Sequence, residues 1–287
     1  IFNLIGYSKT KSLYRDGMAP VVCTSARPHW ERMPESSVYY YKSPRHGKHY
    51  VLSFPFCFDR KDARKEEVYY FAYCFPYTYS YLQRFLHSLD ARNLPHYRRT
   101  ALGRTVQERR LDVVTISSPA NLAIDEAIQA SNARKPGQHA DPTQRISVVF
   151  VSARIHPGET PASYVMHGLL LFLTSDHPAA KALREVLVVK IIPMLNPDGV
   201  FLGNYRCNAL GLDLNRLWHA PPLFGAPTIH AVRNLAQSYM RNSQCTLHLF
   251  LDMHAHTTCM NGFLFANAPD DPRLMEGVAA FPRALAA

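Results

Sequence analysis

The chain has 287 residues, 47% hydrophobic and 19% charged, which excludes a disordered segment and suits one large folded domain or two ordinary ones. No stretch approaches the roughly 20 apolar residues of a bilayer span, since the longest run, Val186 to Leu195, is interrupted by Lys190 and Pro193. The net charge of +10 is uneven: residues 1–145 hold 22 Lys/Arg against 13 Asp/Glu, and residues 146–287 hold 10 against 9. The excess points to an acidic partner (nucleic acid, a membrane surface or an acidic polypeptide) or to a solvated basic face.

The first ten residues, Ile1 to Thr10, carry no signal-peptide pattern and no initiator Met, so an N-terminal fragment is expected. Residues 1–78 read as β-rich. Val38 to Tyr41, His49 to Phe58 and Val68 to Phe75 are β-branched and aromatic runs, separated by turn-forming or charged clusters at 43–48 and 59–67. That pattern predicts an antiparallel sandwich or meander, with a domain boundary near residue 78. Tyr79 to Arg92 places Leu82, Phe85, Leu86 and Leu89 at helical spacing. Leu111 to Ser117 reads as a strand, and residues 131–145 as a polar loop.

Ile146 to Ser152 is a continuous apolar run, as in a strand covered on both faces. Thr160-Pro161 predicts a helix start, with Thr160 as N-cap, continuing to Leu173. Val186 to Leu195 reads as the next buried strand and Asn196-Pro197-Asp198-Gly199 as a turn. A helix over 227–241 and a strand over 247–254 complete a second domain, 79–287, of α/β class on a mixed, largely parallel sheet. Six cysteines, at 23, 57, 74, 207, 245 and 259, form no C-x-x-C pair and read as reduced thiols of a cytosolic protein.

Two constellations follow apolar strands, where open α/β sheets bind ligands. His156-Pro157-Gly158-Glu159 offers an imidazole and a carboxylate three residues apart. His254, in Asp252-Met253-His254-Ala255-His256, could complete a His₂Glu set for Zn²⁺, with His256 as the rival ligand. Between them lie Arg206 and Arg216, whose planar guanidinium groups suit bidentate capture of a carboxylate.

In their order, H-P-G-E, N-P-D-G, N-Y-R, D-L-N-R and D-M-H-A-H resemble the M14 metallocarboxypeptidases, in the branch of cytosolic carboxypeptidases that removes glutamates from protein tails. Phe71 to Tyr79 and Ser8 to Met18 also look like that branch's β-rich N-terminal domain, so the likeness spans nearly the whole chain. It implies Zn²⁺ as cofactor, with His156, Glu159 and His254 as its ligands. Asp213 is implied as the carboxylate orienting His156, Arg206 as the group polarising the scissile carbonyl, and Asn215 with Arg216 as the binders of the substrate's terminal carboxylate. The implied partners are acidic polypeptide tails such as polyglutamylated tubulin, in the cytosol at microtubules, centrioles or cilia; no nucleic acid or membrane partner is expected.

The family's general base is a Glu well downstream of the third zinc ligand. Here the only Glu after His254 is Glu276, which does not match the family's pattern. A C-terminally incomplete catalytic domain with weak or no turnover is therefore expected. Three alternatives stand beside the peptidase: an inert zinc- or tubulin-tail-binding module, a zinc acylase on a related fold, and a nucleic-acid binder suggested by charge alone.

Overall fold

A computed structural model describes residues 1–47, 49–58, 67–132 and 145–286. Strands β1 (Phe2–Tyr7), β2 (Val21–Thr24), β3 (Glu31–Arg32), β4 (Tyr39–Lys42), β5 (Tyr50–Phe54) and β6 (Tyr69–Ala72) come first. Then follow α1 (Tyr79–Asp90), β7 (Tyr97–Arg104), β8 (Arg110–Ile116), α2 (Pro119–Asn132), β9 (Ile146–Ala153), α3 (Thr160–Leu173), α4 (Pro178–Val186) and β10 (Val188–Ile192). The remaining elements are α5 (Pro197–Leu202), α6 (Pro227–Arg241), β11 (Cys245–Met253) and α7 (Met275–Ala286). Residues 59–66 of the charged segment expected at 59–67, Lys48 of the turn cluster and residues 133–144 of the loop expected at 131–145 lie outside the described residues, while 131–132 belong to α2.

The chain divides into two compact units. One comprises Ile1–Met18, Pro34–Phe58 and His256–Ala287 and holds the antiparallel sheet β1-β5-β4. Its tyrosines gather around a cation, with the Arg15 guanidinium 5.5 Å from the rings of both Tyr40 and Tyr50. The other comprises Ala19–Met33 and Asp59–Ala255. It holds the antiparallel sheet β3-β2-β6 and a five-stranded mixed sheet in the order β11-β9-β10-β8-β7. β9 pairs in parallel with both β10 and β11, whereas β8 runs antiparallel to β10 and β7.

Strand side chains alternate between faces, so one strand feeds two cores. On β9, Val151 and Ala153 join one cluster, while Ile146, Val148 and Phe150 join the other. The first cluster receives Leu82, Leu86 and Leu89 from α1 and Met166 and Leu170 from α3. The second receives Ile229, Val232 and Tyr239 from α6. Covering both faces explains the unbroken apolar run of β9, and each large side chain buried there stabilises by about 1.5–3 kcal/mol.

Lys190, which interrupts the apolar run in sequence, lies in the middle of β10 and is 4% exposed. Its Nζ donates to Asp125 Oδ2 at 2.6 Å and to Thr115 Oγ1 at 3.0 Å, and Tyr239 OH donates to the other oxygen of Asp125. The buried cation is thus paired and hydrogen-bonded within the core.

Two local expectations are corrected. Thr160 is the first helical residue of α3 and Glu159 its N-cap, which makes no side-chain cap because its carboxylate is held elsewhere. Asn196-Pro197-Asp198-Gly199 opens α5 and is not a simple turn. Asn196 accepts from Gly199 N at 3.0 Å and Pro197 sits at the first turn.

Candidate metal centre

Three of the segments around the site are pinned by a neighbouring apolar side chain. Ile155 precedes His156, Leu195 precedes Asn196, and Leu214 lies between Asp213 and Asn215; all three are buried in the core on the α6 side of the sheet. At the end of β9 the chain turns through Arg154, a non-glycine residue at φ 61°. Its buried guanidinium donates to Pro157 O at 2.8 Å, Tyr77 O at 3.1 Å and Ser163 Oγ at 2.8 Å. Four neutral-acceptor bonds of this kind, counting a longer one to Thr160 Oγ1, hold the His156–Glu159 turn against the start of α3. Gly158 completes the turn: its N–H donates to Tyr205 O at 2.8 Å, and a Cβ there would stand 2.7 Å from the same oxygen.

The structure brings His156, Glu159 and His254 together, with one donor atom from each within 4.8 Å of the others. His156 Nδ1 lies 2.7 Å from Glu159 Oε1, and His254 Nδ1 lies 2.8 Å from Glu159 Oε2. The two imidazole centroids are 5.0 Å apart. On the far side of each ring, Nε2 meets a carboxylate: Asp213 Oδ1 at 3.2 Å for His156 and Asp252 Oδ2 at 2.8 Å for His254. Those carboxylates favour the tautomer protonated at Nε2. Nδ1 is then an acceptor facing a carboxylate oxygen, also an acceptor, at hydrogen-bond distance. Such a contact is favourable only with positive charge between the two, either a proton or a metal ion.

The electrostatics agree. Hydrogen bonds to Asp252 and Glu159 raise His254 to about 10, outweighing the opposite effect of burial. Burial alone would raise Glu159, but bonds from His156, His254 and Ala255 N bring it down to about 2. Asp213 also sits below its ordinary value: burial is overcome by hydrogen bonds from Arg206, His156 and Asn215 N. The field that keeps a proton on His254 favours a divalent cation in the same place. Two imidazole nitrogens and a carboxylate oxygen are the donor types of a catalytic zinc site, so the residues fit the ion.

Arg206 Nε donates to Asp213 Oδ2 at 2.7 Å, which ties the arginine to the carboxylate behind His156. Asn215 and Arg216 lie on the 3₁₀ turn Leu214–Arg216 that follows Asp213. The amide oxygen of Asn215 accepts from Trp218 Nε1 at 3.0 Å, and the exposed Arg216 donates to Asn215 O at 3.4 Å. His256 lies outside the donor cluster, with Nδ1 3.1 Å from the Thr258 hydroxyl. The motif reading gave no role to Asp252, Ser152 or Arg154. The D-x-H spacing signals the first of these, because residues two apart along an extended segment share a face.

A His₂–carboxylate donor set at the carboxyl ends of parallel strands in a mixed α/β sheet has the donor chemistry of a mononuclear zinc centre. Residues 82–272 match the zinc carboxypeptidase family Peptidase_M14, and the chain belongs to that family. It is 48% identical over 285 residues to human cytosolic carboxypeptidase 6, covering 99% of this chain and 52% of the relative. It is 42% identical to cytosolic carboxypeptidase 6 of Caenorhabditis elegans, covering 93% of this chain and 53% of that protein. The chain therefore spans about half the length of these curated relatives. The crystal structure of a metallo-carboxypeptidase from Burkholderia cenocepacia superposes with a TM-score of 0.60 at 26% identity, over 84% of this chain and 53% of that one. The family membership sets aside the zinc-acylase alternative. No described helix is long and apolar enough to cross a membrane.

Proposed function

We propose that this chain, with zinc bound, takes part in hydrolysing C-terminal or branch-point glutamates from acidic protein tails, polyglutamylated tubulin foremost, in the cytosol and at microtubules. The convergence of His156, Glu159 and His254 within 4.8 Å carries the reading. These three side chains would hold Zn²⁺, which supplies Lewis acidity for a scissile carbonyl and lowers the pKa of water. Asp213 receives the Nε2–H of His156 and anchors Arg206 through Nε. Arg206 thereby presents the rest of its guanidinium to the developing oxyanion. Asn215 and Arg216 take the terminal carboxylate of the substrate, the contact that makes an exopeptidase. Relatedness to cytosolic carboxypeptidases and the charge excess of residues 1–145 support an acidic tail as substrate. Nucleic acid and membranes are not part of the reading.

The test is incubation of the 287-residue chain and zinc with a peptide ending in several glutamates, followed by mass spectrometry. Slow, stepwise loss of glutamate from this peptide, and none from one ending in glutamine, is expected. Replacing Arg216 by Ala should raise KM for the same peptide. No release by the chain, with the peptide left unbound in an anisotropy titration, would refute the proposal. Retention of the peptide without cleavage selects a second reading, binding without turnover.

A further inference from the structure

The metal centre has two outer carboxylates, and they are built differently. Asp213 caps the 3₁₀ turn Leu214–Arg216, where Arg206 and Asn215 N draw on the same carboxylate that meets His156. Asp252 sits in β11, paired in register with Ser152 of β9. Ser152 is fully buried, and its hydroxyl donates to Asp252 Oδ1 at 2.7 Å while Oδ2 meets His254 Nε2 at 2.8 Å. Asp213 therefore meets a full positive charge in Arg206, whereas Asp252 meets a neutral hydroxyl on its other oxygen. More of Asp252's negative charge is left for the imidazole.

We propose that Asp252, backed by Ser152, is a positioning residue that holds His254 with Nδ1 toward the metal and raises the metal affinity of the site. The inference rests on reading His156, Glu159 and His254 as the metal ligands. Its physical basis is threefold. A carboxylate on Nε2 fixes the tautomer and makes Nδ1 a better donor. Two occupied oxygens stop the carboxylate from rotating. The register between two hydrogen-bonded strands sets the position of Asp252 more rigidly than a loop could. Asp213 couples a ligand to an arginine beside the reacting group, whereas Asp252 couples a ligand to the sheet.

The experiment measures zinc affinity of the 287-residue chain by competition with a chromophoric chelator, alongside melting of the zinc-free chain. D252N should raise the zinc Kd by about 10–100-fold, the usual effect of losing such a partner. S152A, one bond further out, should raise it by roughly 2–10-fold with an unchanged zinc-free melt. A mere tie between β9 and β11 would lower the zinc-free melting temperature and leave Kd alone. A folded D252N whose Kd lies within about threefold of the parent overturns the proposal, judged against that expected range. If D252N does not fold, S152A decides, and an unchanged Kd in that variant overturns the proposal equally. Failure of the parent chain to bind zinc, with H254A indistinguishable from it, would instead overturn the ligand assignment itself.

Discussion

The tight turn that carries His156 and Glu159 permits a paired test with one chemical change and two signs. Gly158→Ala would place a methyl carbon 2.7 Å from Tyr205 O and 2.9 Å from Tyr205 Cδ2. The oxygen is backbone and also accepts the Gly158 N–H at 2.8 Å, so it cannot swing away without losing that bond. Restoring an ordinary contact needs a separation of roughly half an ångström, in a well-packed region where such shifts cost about 1–3 kcal/mol. The displaced segment leads directly into Arg206, and the turn itself holds two of the three donors. Gly168→Ala is the control. Gly168 is exposed within α3 and an added Cβ meets nothing within 4 Å. There the same substitution removes glycine's entropic penalty in a helix and should stabilise by about 0.5–1 kcal/mol. Scanning calorimetry should show G158A melting several degrees below the parent and G168A slightly above it, at about 2–4 °C per kcal/mol for units of this size. Zinc affinity should fall in G158A and stay constant in G168A. If G158A melts with the parent and binds zinc equally well, the close approach of Tyr205 does not constrain the turn and the reasoning fails.

Chelation should lower the melting temperature of the parent chain, because an ion at 100 times its Kd stabilises by about 2.7 kcal/mol; H156A should show no difference with and without the chelator. Lys190→Met strands Asp125 in the core and should destabilise by about 3–5 kcal/mol in urea unfolding, while the double variant with Asp125→Leu should recover part of that loss. A single variant as stable as the parent would contradict the buried pairing. The acid limb of stability should depend on Asp112. Burial would raise its carboxyl, but hydrogen bonds from Arg99 and Gln83 hold it below the ordinary value. A depressed folded pKa contributes stability that is present above the unfolded pKa of about 3.9 and is lost as pH falls through the folded value. The stability gap between parent and D112N should therefore be widest at neutral pH and narrow below about pH 4, followed by melting temperature across that range.

Much of the fold was legible because the signals were long and periodic. The strand at Ile146, the helix ending at Leu173 and the helix over 227–241 each have many side chains voting for one period, and the observed bounds lie within a residue or two. Short or polar elements were not legible. β7 reads YRRTALGR, with no clean alternation, since it is an edge strand whose partner β8 supplies most of the burial. α4, PAAKALREV, has only nine residues and buries just Ala180 and Arg184, too few positions to establish a period. Asn-Pro-Asp-Gly suits a turn and a helix N-terminus equally well, and only the packing of Gly199 against Pro157, Asn196 and Cys207 chooses the helix.

The chemistry divides along the same line. Residue types and their order determined, from the chain alone, that two imidazoles and a carboxylate were available to a zinc carboxypeptidase. A motif is a list of atoms that could bind, and identity is encoded locally. Only the tertiary structure decided which nitrogen of each ring faces Glu159, that His254 and not His256 joins the cluster, and that Asp252 leans on Ser152 from a neighbouring strand. Those facts depend on distances between residues about a hundred positions apart, which are set by the register of β9 with β11 and carried by no local segment.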